Sequence, residues 1–344
     1  IMIYINCVCR HWYVKINLSG VFGGERYPDT FTALSKIWMT KVFPLILLMI
    51  LFSACDNPKE INMEEPDTSV ELSIHGSGDF TFTAYDPLSS KPVQVYYHIP
   101  EKANSQSPVL MVFTGSGRDA KESRDVLVNK SDQLKFIVVV PEFSNDYYPG
   151  GDQYNLGNIF KDGDHPDLTE LNPETEWTFS IVDPIFDFFK ERTGSTADNY
   201  DVFGHSAGAQ FSHRFLMFKP KAKYHRVISA AAGWYTMPDK EISFPYGLQE
   251  SPIATANLAY VFAREQIVMV GTADDDPNAA SLRHNAQADA QGDDRLERAQ
   301  YYYNQSRQLA QKKGYTFNWQ YKTMSNVGHD FDATATVATN ILYN

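Results

Sequence analysis

The stretch that decides the fold of this 344-residue chain is Asn199-Tyr200-Asp201-Val202-Phe203-Gly204-His205-Ser206-Ala207-Gly208-Ala209-Gln210. A short apolar run typical of a buried strand ends just before Gly204, and residues 207–218 have the pattern of a helix. The chain must therefore turn sharply at Ser206, and side chains at Gly204 and Gly208 would collide with neighbouring elements. The turn exposes the Ser206 hydroxyl above the amino end of the helix, where developing negative charge is stabilised. This pattern predicts that Ser206 is a nucleophile.

Apolar runs and helix-like stretches alternate through the rest of the chain. Buried strands are predicted at 109–113, 136–140, 200–203, 226–231, 267–270 and 316–323, after an opening antiparallel pair at 79–85 and 93–99. Further helices are predicted at about 177–191, 293–313 and 331–342. Buried strands alternating with helices indicate an α/β fold, with a mostly parallel central sheet and helices on both faces. The long loop 142–176 is of the kind that is usually functional or mobile.

Composition and charge restrict the possible partners. With 43% hydrophobic residues the chain can bury the core of one large domain. The net charge is −12, and because residues 1–55 contribute +3, the remainder carries −15. An acidic body repels phosphate backbones, so nucleic acid is not expected as a partner. The cysteines Cys7, Cys9 and Cys55 leave the body beyond residue 55 without an internal disulfide.

A targeting signal is predicted near the start. Lys41 precedes an apolar run at 42–52, which is shorter than the roughly 20 residues that cross a bilayer, and small residues follow before Cys55. The segment resembles a bacterial lipoprotein signal, which implies cleavage before Cys55 and acylation of its thiol. An ordinary signal or a buried helix is the alternative. The chain then divides into an upstream extension at 1–38 with Met39 as the true start, a signal at 39–55, a flexible tether at 56–72 and a catalytic domain at 73–344.

From about Ser73 onward the chain resembles the α/β-hydrolase superfamily of serine hydrolases. That family orders its catalytic residues as serine, acid and histidine, each on a loop after a strand. The resemblance implies Asp274 as the acid, with Asp276 as the second choice and Asp275 as the third. It implies His329, which follows the last predicted strand, as the base.

The resemblance also implies an oxyanion hole and a substrate class. The N–H of Ala207 is one expected donor, and the other is Ser116 or Gly117, in a turn that resembles the family's His-Gly-x element with Thr114 in place of the histidine. Residues 226–235 and the tyrosines of the long loop are similar to polyhydroxybutyrate depolymerase-like and feruloyl-esterase-like secreted enzymes. Trp234 and Tyr235 follow a strand at the catalytic edge, so they either wall a substrate pocket or simply pack.

These features together predict a lipid-anchored serine ester hydrolase of the bacterial cell envelope, secreted if it is not acylated. Its substrate would be a small, aromatic or polymeric ester. A peptidase or acyltransferase on the same triad, and a non-catalytic binding lipoprotein, stay open as alternatives. No zinc signature or phosphate-binding glycine loop occurs, and the carboxylates of residues 162–167 lack a full calcium pattern, so neither a cofactor nor a metal is predicted. The histidines His98, His205, His213 and His284 are expected to be structural.

Overall fold

The computed structural model describes residues 70–253 and 256–344, so the predicted extension, signal, Cys55 and most of the tether lie outside the described residues. Eight strands form one sheet: β1 (Gly76–Phe82), β2 (Val93–Ile99), β3 (Val109–Phe113), β4 (Ile137–Glu142), β5 (Tyr200–His205), β6 (Tyr224–Ala230), β7 (Glu265–Gly271) and β8 (Trp319–Met324). Their order is β1-β2-β4-β3-β5-β6-β7-β8. β2 is antiparallel to β1 and to β4, whereas every pair from β4 to β8 is parallel. The mostly parallel sheet and the opening antiparallel pair are thus confirmed.

The described helices are α1 (Ala120–Leu134), α2 (Val182–Thr193), α3 (Ala207–Phe218), α4 (Ala256–Ala263), α5 (Ala286–Asp289), α6 (Arg295–Lys313) and α7 (Phe331–Tyr343). Short 3₁₀ turns occur at Asp86–Leu88, Leu168–Glu170, Glu174–Glu176 and Thr178–Ile181.

Helices cover both faces of the sheet. Met111 and Phe113 of β3 belong to one buried apolar cluster, which also takes in α2, α3 and α6. Leu110 and Val112 of the same strand belong to a second cluster with α1 and α7. Since neighbouring residues of a strand point to opposite faces, the two clusters are the two cores on either side of the sheet. The predicted layers are confirmed.

One helix prediction needed correction, and helices α1, α4 and α5 were not predicted. The helix expected from about residue 177 begins at Val182, after the 3₁₀ turn Thr178–Ile181. Pro184 explains the difference, because proline has no N–H and fits an α-helix only in its first turn. Helix α1 was missed because its buried face includes Ser123, Arg124 and Ser131, so it has no apolar stripe that a periodicity argument could detect.

The topology brings four chain segments to one place. β3, β5, β7 and β8 are parallel, so their carboxyl ends lie at the same edge of the sheet. The turns after these four strands carry Ser116, Ser206, Asp274 and His329. Ligands in open α/β sheets bind at this edge.

Candidate active site

Ser206 lies at a sharp turn between β5 and α3. Its backbone has φ +58° and ψ −117°, a conformation that residues other than glycine rarely adopt. A β-carbon on Gly204 would lie 2.1 Å from the Gly208 carbonyl oxygen, and one on Gly208 would lie 1.9 Å from the Phe113 carbonyl oxygen. These distances are far inside van der Waals contact, so the close approach of strand and helix requires glycine at both positions. The Ser206 N–H donates to the Ala230 carbonyl at 3.0 Å, which fixes the turn to β6.

The loops after β7 and β8 touch each other through their backbones. A β-carbon on Gly271 would lie 2.0 Å from the Val327 carbonyl oxygen, and the Ala273 N–H donates to that same oxygen at 2.9 Å. Immediately after His329, the Asp330 side chain accepts a backbone N–H of α7 at 2.7 Å and so caps this helix. The two loops are therefore held in register with each other and with α7.

The side chains of Ser206, His329 and Asp274 form one hydrogen-bonded chain. The Ser206 Oγ lies 3.0 Å from His329 Nε2, and His329 Nδ1 lies 2.8 Å from Asp274 Oδ2. A carboxylate can only accept, so Nδ1 carries the ring proton and Nε2 presents its lone pair to the hydroxyl. This arrangement can increase the nucleophilicity of Ser206.

Burial distinguishes Asp274 from the two acids that follow it. Asp274 is buried, whereas Asp275 and Asp276 are exposed. The buried Arg295 guanidinium lies 3.4 Å from the Asp274 oxygen that does not face His329. Sequence reasoning missed Arg295, because its contact depends on how α6 packs against the loop after β7 and no local pattern indicates it.

The predicted oxyanion positions lie in two segments beside Ser206. A β-carbon on Gly115 would lie only 3.7 Å from the Ser206 β-carbon, so the turn that carries Ser116 and Gly117 is close to the Ser206 side chain. Ala207 is the first residue of α3, and its N–H therefore has no acceptor within the helix. Which of these N–H groups contact the oxyanion stays a prediction.

No protein-family profile matches the chain, and no curated protein matches its sequence. Among solved structures, poly(aspartic acid) hydrolase-1 from Sphingomonas sp. KT-1 is 34% identical, with a TM-score of 0.74, over 78% of this chain and 99% of that chain. The chain belongs to the α/β-hydrolase superfamily of serine hydrolases. A poly(3-hydroxybutyrate) depolymerase from Bordetella parapertussis is 28% identical to this hydrolase, with a TM-score of 0.73, over 78% and 90% of the two chains. A ferulic acid esterase matches at 15% identity and a TM-score of 0.45, over 78% and 97%.

The matches to the poly(aspartic acid) hydrolase and the depolymerase confirm the α/β-hydrolase fold and the resemblance to polyhydroxybutyrate depolymerases. The chain is accordingly an enzyme, and its general activity is hydrolysis of the serine esterase type.

His205 packs against the histidine of this hydrolase's hydrogen-bonded chain. The two rings have centroids 4.7 Å apart and planes inclined by 32°. Burial, and secondarily the neighbouring His329, lower the pKa of His205 to about 3, so its ring is neutral at neutral pH. Its buried Nε2 has no hydrogen-bond partner among the described residues. The sequence predicted a structural His205 but did not reveal its contact with His329.

Trp234 and Tyr235 of the hydrolase are both buried. The Trp234 ring centroid lies 4.1 Å from the guanidinium carbon of Arg214 and 4.8 Å from that of Arg283. Tyr235 has 0% exposure and stacks on Tyr302 at 4.4 Å. These contacts favour the packing alternative, and a direct role in substrate binding stays a prediction.

The acidic segment 162–167 uses its carboxylates within the protein. Asp162 accepts the N–H groups of Asp164 and His165, and Asp164 forms an ion pair with Arg283. Within the described residues no group of three or more histidines, cysteines and acids is arranged to hold a metal ion. In this same part of the chain, no helix has both the length and the apolar character needed to cross a bilayer.

Proposed function

We propose that this hydrolase cleaves carboxylic esters through an acyl-enzyme on Ser206. The observation that carries the proposal is the continuous hydrogen-bonded chain from the Ser206 hydroxyl through His329 to the buried Asp274. As Oγ bonds to the ester carbonyl carbon, its proton passes to His329 Nε2. Asp274 orients the imidazole and stabilises its charged form.

The remaining steps use the same groups. The backbone N–H groups of Ala207 and Ser116, or of Gly117 in place of Ser116, stabilise the negative charge on the carbonyl oxygen. The ester C–O bond then breaks, and the alkoxide leaves with the proton held by His329. A water molecule attacks the acyl-enzyme and gives its proton to His329, and the acid leaves while the Ser206 hydroxyl is restored.

Replacement of the nucleophile tests the mechanism. We expect Ser206→Ala to lower turnover of a p-nitrophenyl ester by about 10⁶-fold, as in other serine hydrolases that lose this group. Ser116→Ala retains its N–H and should change turnover little, which makes it the matched control. A fluorophosphonate probe should label Ser206. An unlabelled, inactive protein would instead support the non-catalytic binding lipoprotein.

A polymeric ester is the substrate class that the similar structures support best. The name of the depolymerase contains a polyester, poly(3-hydroxybutyrate). The name of the other hydrolase contains poly(aspartic acid), an anionic polymer with amide links. The −15 charge of residues 56–344 favours an uncharged polymer, because an acidic surface repels a chain of carboxylates. Assays with hydroxybutyrate oligomers and with poly(aspartic acid) distinguish ester hydrolysis from a peptidase-like hydrolysis of amides. Faster cleavage of poly(aspartic acid) would reverse our assignment.

The location of the enzyme is a separate proposal that rests on residues 39–55. We propose that Cys55 is acylated and anchors the enzyme in the bacterial cell envelope; without acylation it would be secreted. Growth with a labelled fatty acid should label the full chain but not its Cys55→Ser variant. Equal labelling of both would disprove the anchor. N-terminal sequencing of the unprocessed product tests Met39 as the start, and a peptide from before Met39 would contradict it.

A further inference from the structure

The long loop between β4 and α2 reaches the turn that follows β3. Tyr154 in this loop is 1% exposed, and its hydroxyl donates to the carbonyl oxygen of Thr114 at 2.7 Å. Thr114 directly precedes Gly115 and Ser116, so this bond restrains the backbone at the start of the predicted oxyanion turn.

Arg118 restrains the other end of the same turn. Its guanidinium donates to the carbonyls of Phe143 and Gly150 in the long loop and lies 3.8 Å from the Tyr154 ring centroid. Its own N–H donates to the Gly115 carbonyl at 3.1 Å, which closes the turn. Within residues 70–253 and 256–344 Arg118 forms no ion pair, although it is buried. A buried cation without a counter-ion is costly, so these carbonyl and ring contacts must offset the cost.

We propose that Tyr154 and Arg118 are positioning residues, which together form the Tyr154–Arg118 clamp. They hold the turn 114–118 so that its N–H groups point at the oxyanion. The inference rests on the proposed function. Backbone donors stabilise a transition state only when they already point at the developing charge, and they should not have to reorganise during the reaction. A glycine-containing turn has little stiffness of its own, and Arg118 within it has a φ of +60°. The long loop would then support the oxyanion turn through the clamp, and it would not have to move.

Tyr154→Phe isolates the hydroxyl, because the ring contacts with Phe143 and Phe211 are retained. Tyr148→Phe is a matched control in the same loop. Tyr148 is also 1% exposed, and its hydroxyl donates to the Lys91 carbonyl at 2.9 Å, away from the oxyanion turn. Each variant loses one hydrogen bond of a buried tyrosine, so both full-length proteins should show decreases in Tm.

Only Tyr154→Phe should affect catalysis. With p-nitrophenyl butyrate we expect its kcat to fall by about 10- to 100-fold at unchanged KM, less than the about 10²–10³-fold that follows outright loss of an oxyanion donor. A trifluoromethyl ketone forms the same tetrahedral oxyanion on the enzyme. Its inhibition constant should therefore rise by the same factor as kcat/KM falls, while Tyr148→Phe changes neither.

The proposal is overturned if Tyr154→Phe and Tyr148→Phe have the same kcat, or if Tyr154→Phe changes KM alone. Should Tyr154→Phe fail to fold, Arg118→Lys gives an independent test, because lysine cannot make the same forked contacts. An Arg118→Lys enzyme with normal kcat and normal inhibitor binding also overturns the clamp. Turnover by Ser206→Ala would refute the proposed function instead, so the two failures are distinguishable.

Discussion

Two hydrogen-bonded chains of serine, histidine and aspartate occur within the described residues. The first, the carboxyl-edge triad, consists of Ser206, His329 and Asp274. The second, the strand-edge triad, consists of Ser77 on β1, His98 on β2 and Asp132 on α1. In the second, Ser77 Oγ lies 2.9 Å from His98 Nδ1, and His98 Nε2 lies 3.0 Å from Asp132 Oδ1. By residue type and distance alone the two groups are hard to tell apart.

The two triads differ in the backbone conformation at the serine, in the burial of the aspartate and in the histidine nitrogen that faces the serine. Ser77 pairs with His98 across a regular antiparallel ladder, whereas Ser206 occupies a strained turn at the amino end of α3. The Asp132 side chain is 51% exposed, where water weakens its interaction with the histidine, while that of Asp274 is 4% exposed. The strand-edge histidine also faces its serine through Nδ1 instead of Nε2. We infer that the strand-edge triad is a structural network, and that the proposed backbone oxyanion site and a buried acid distinguish the carboxyl-edge triad.

Replacement of the two histidines should give the largest contrast. We expect His329→Gln to lower ester turnover by about 10⁶-fold, because loss of the base costs about as much as loss of the nucleophile. His98→Gln should leave turnover unchanged and lower the free energy of unfolding by about 1–3 kcal/mol, since it disturbs two hydrogen bonds of a buried ring. Steady-state kinetics and urea unfolding measure both effects. Loss of turnover in His98→Gln would show that the second triad also takes part in catalysis.

The two aspartates should show a smaller contrast of the same kind. Asp274→Asn retains the shape of the side chain but favours the wrong tautomer of His329, so we expect kcat to fall by about 10⁴-fold. Asp132→Asn changes an exposed partner and should leave kcat unchanged. If Asp276→Asn proved as damaging as Asp274→Asn, the assignment of the acid would have to be revised.

The smallest expected effect comes from His205, which packs against His329 of the carboxyl-edge triad. This histidine should make the free energy of unfolding depend on pH. Its pKa is about 3 in the folded chain and about 6.5 when unfolded, so below pH 6.5 the unfolded state binds the proton first. Its contribution to stability is therefore complete above pH 6.5 and is lost as the pH falls towards 3. Between pH 7 and pH 4.5 the loss should be about 2–3 kcal/mol.

In the His205→Asn variant the asparagine cannot titrate in this range. Between pH 7 and pH 4.5 the free energy of unfolding of the variant should therefore fall by about 2–3 kcal/mol less than that of the parent. Urea unfolding at both pH values measures the difference. If the free energy of unfolding fell equally in His205→Asn and in the parent over this pH interval, the assignment of His205 as a buried neutral ring would be contradicted.

Local patterns were enough for the features that are built within a few residues. The strand, turn and helix around Ser206 occupy one short segment, and Gly204 and Gly208 mark it because no side chain fits there. The cap and end of α6 are local features of the same kind, since Asp294 caps the helix and Gly314 ends it in the left-handed conformation that glycine favours. By contrast, α1 was missed because polar residues interrupt the apolar ones on its buried face.

The amino-acid sequence by itself determined the layered fold, the place of the sharp turn and the serine at its tip, because each is indicated by residue patterns within short segments of the chain. Only the tertiary structure decided which of three consecutive aspartates meets His329, since that choice depends on the packing of the loops after β7 and β8. The same holds for Arg295 beside Asp274, for the His205 ring on His329 and for the Tyr154 hydroxyl on Thr114. These pairs are distant in the chain, and their contacts exist only after the sheet has brought its loops to one edge.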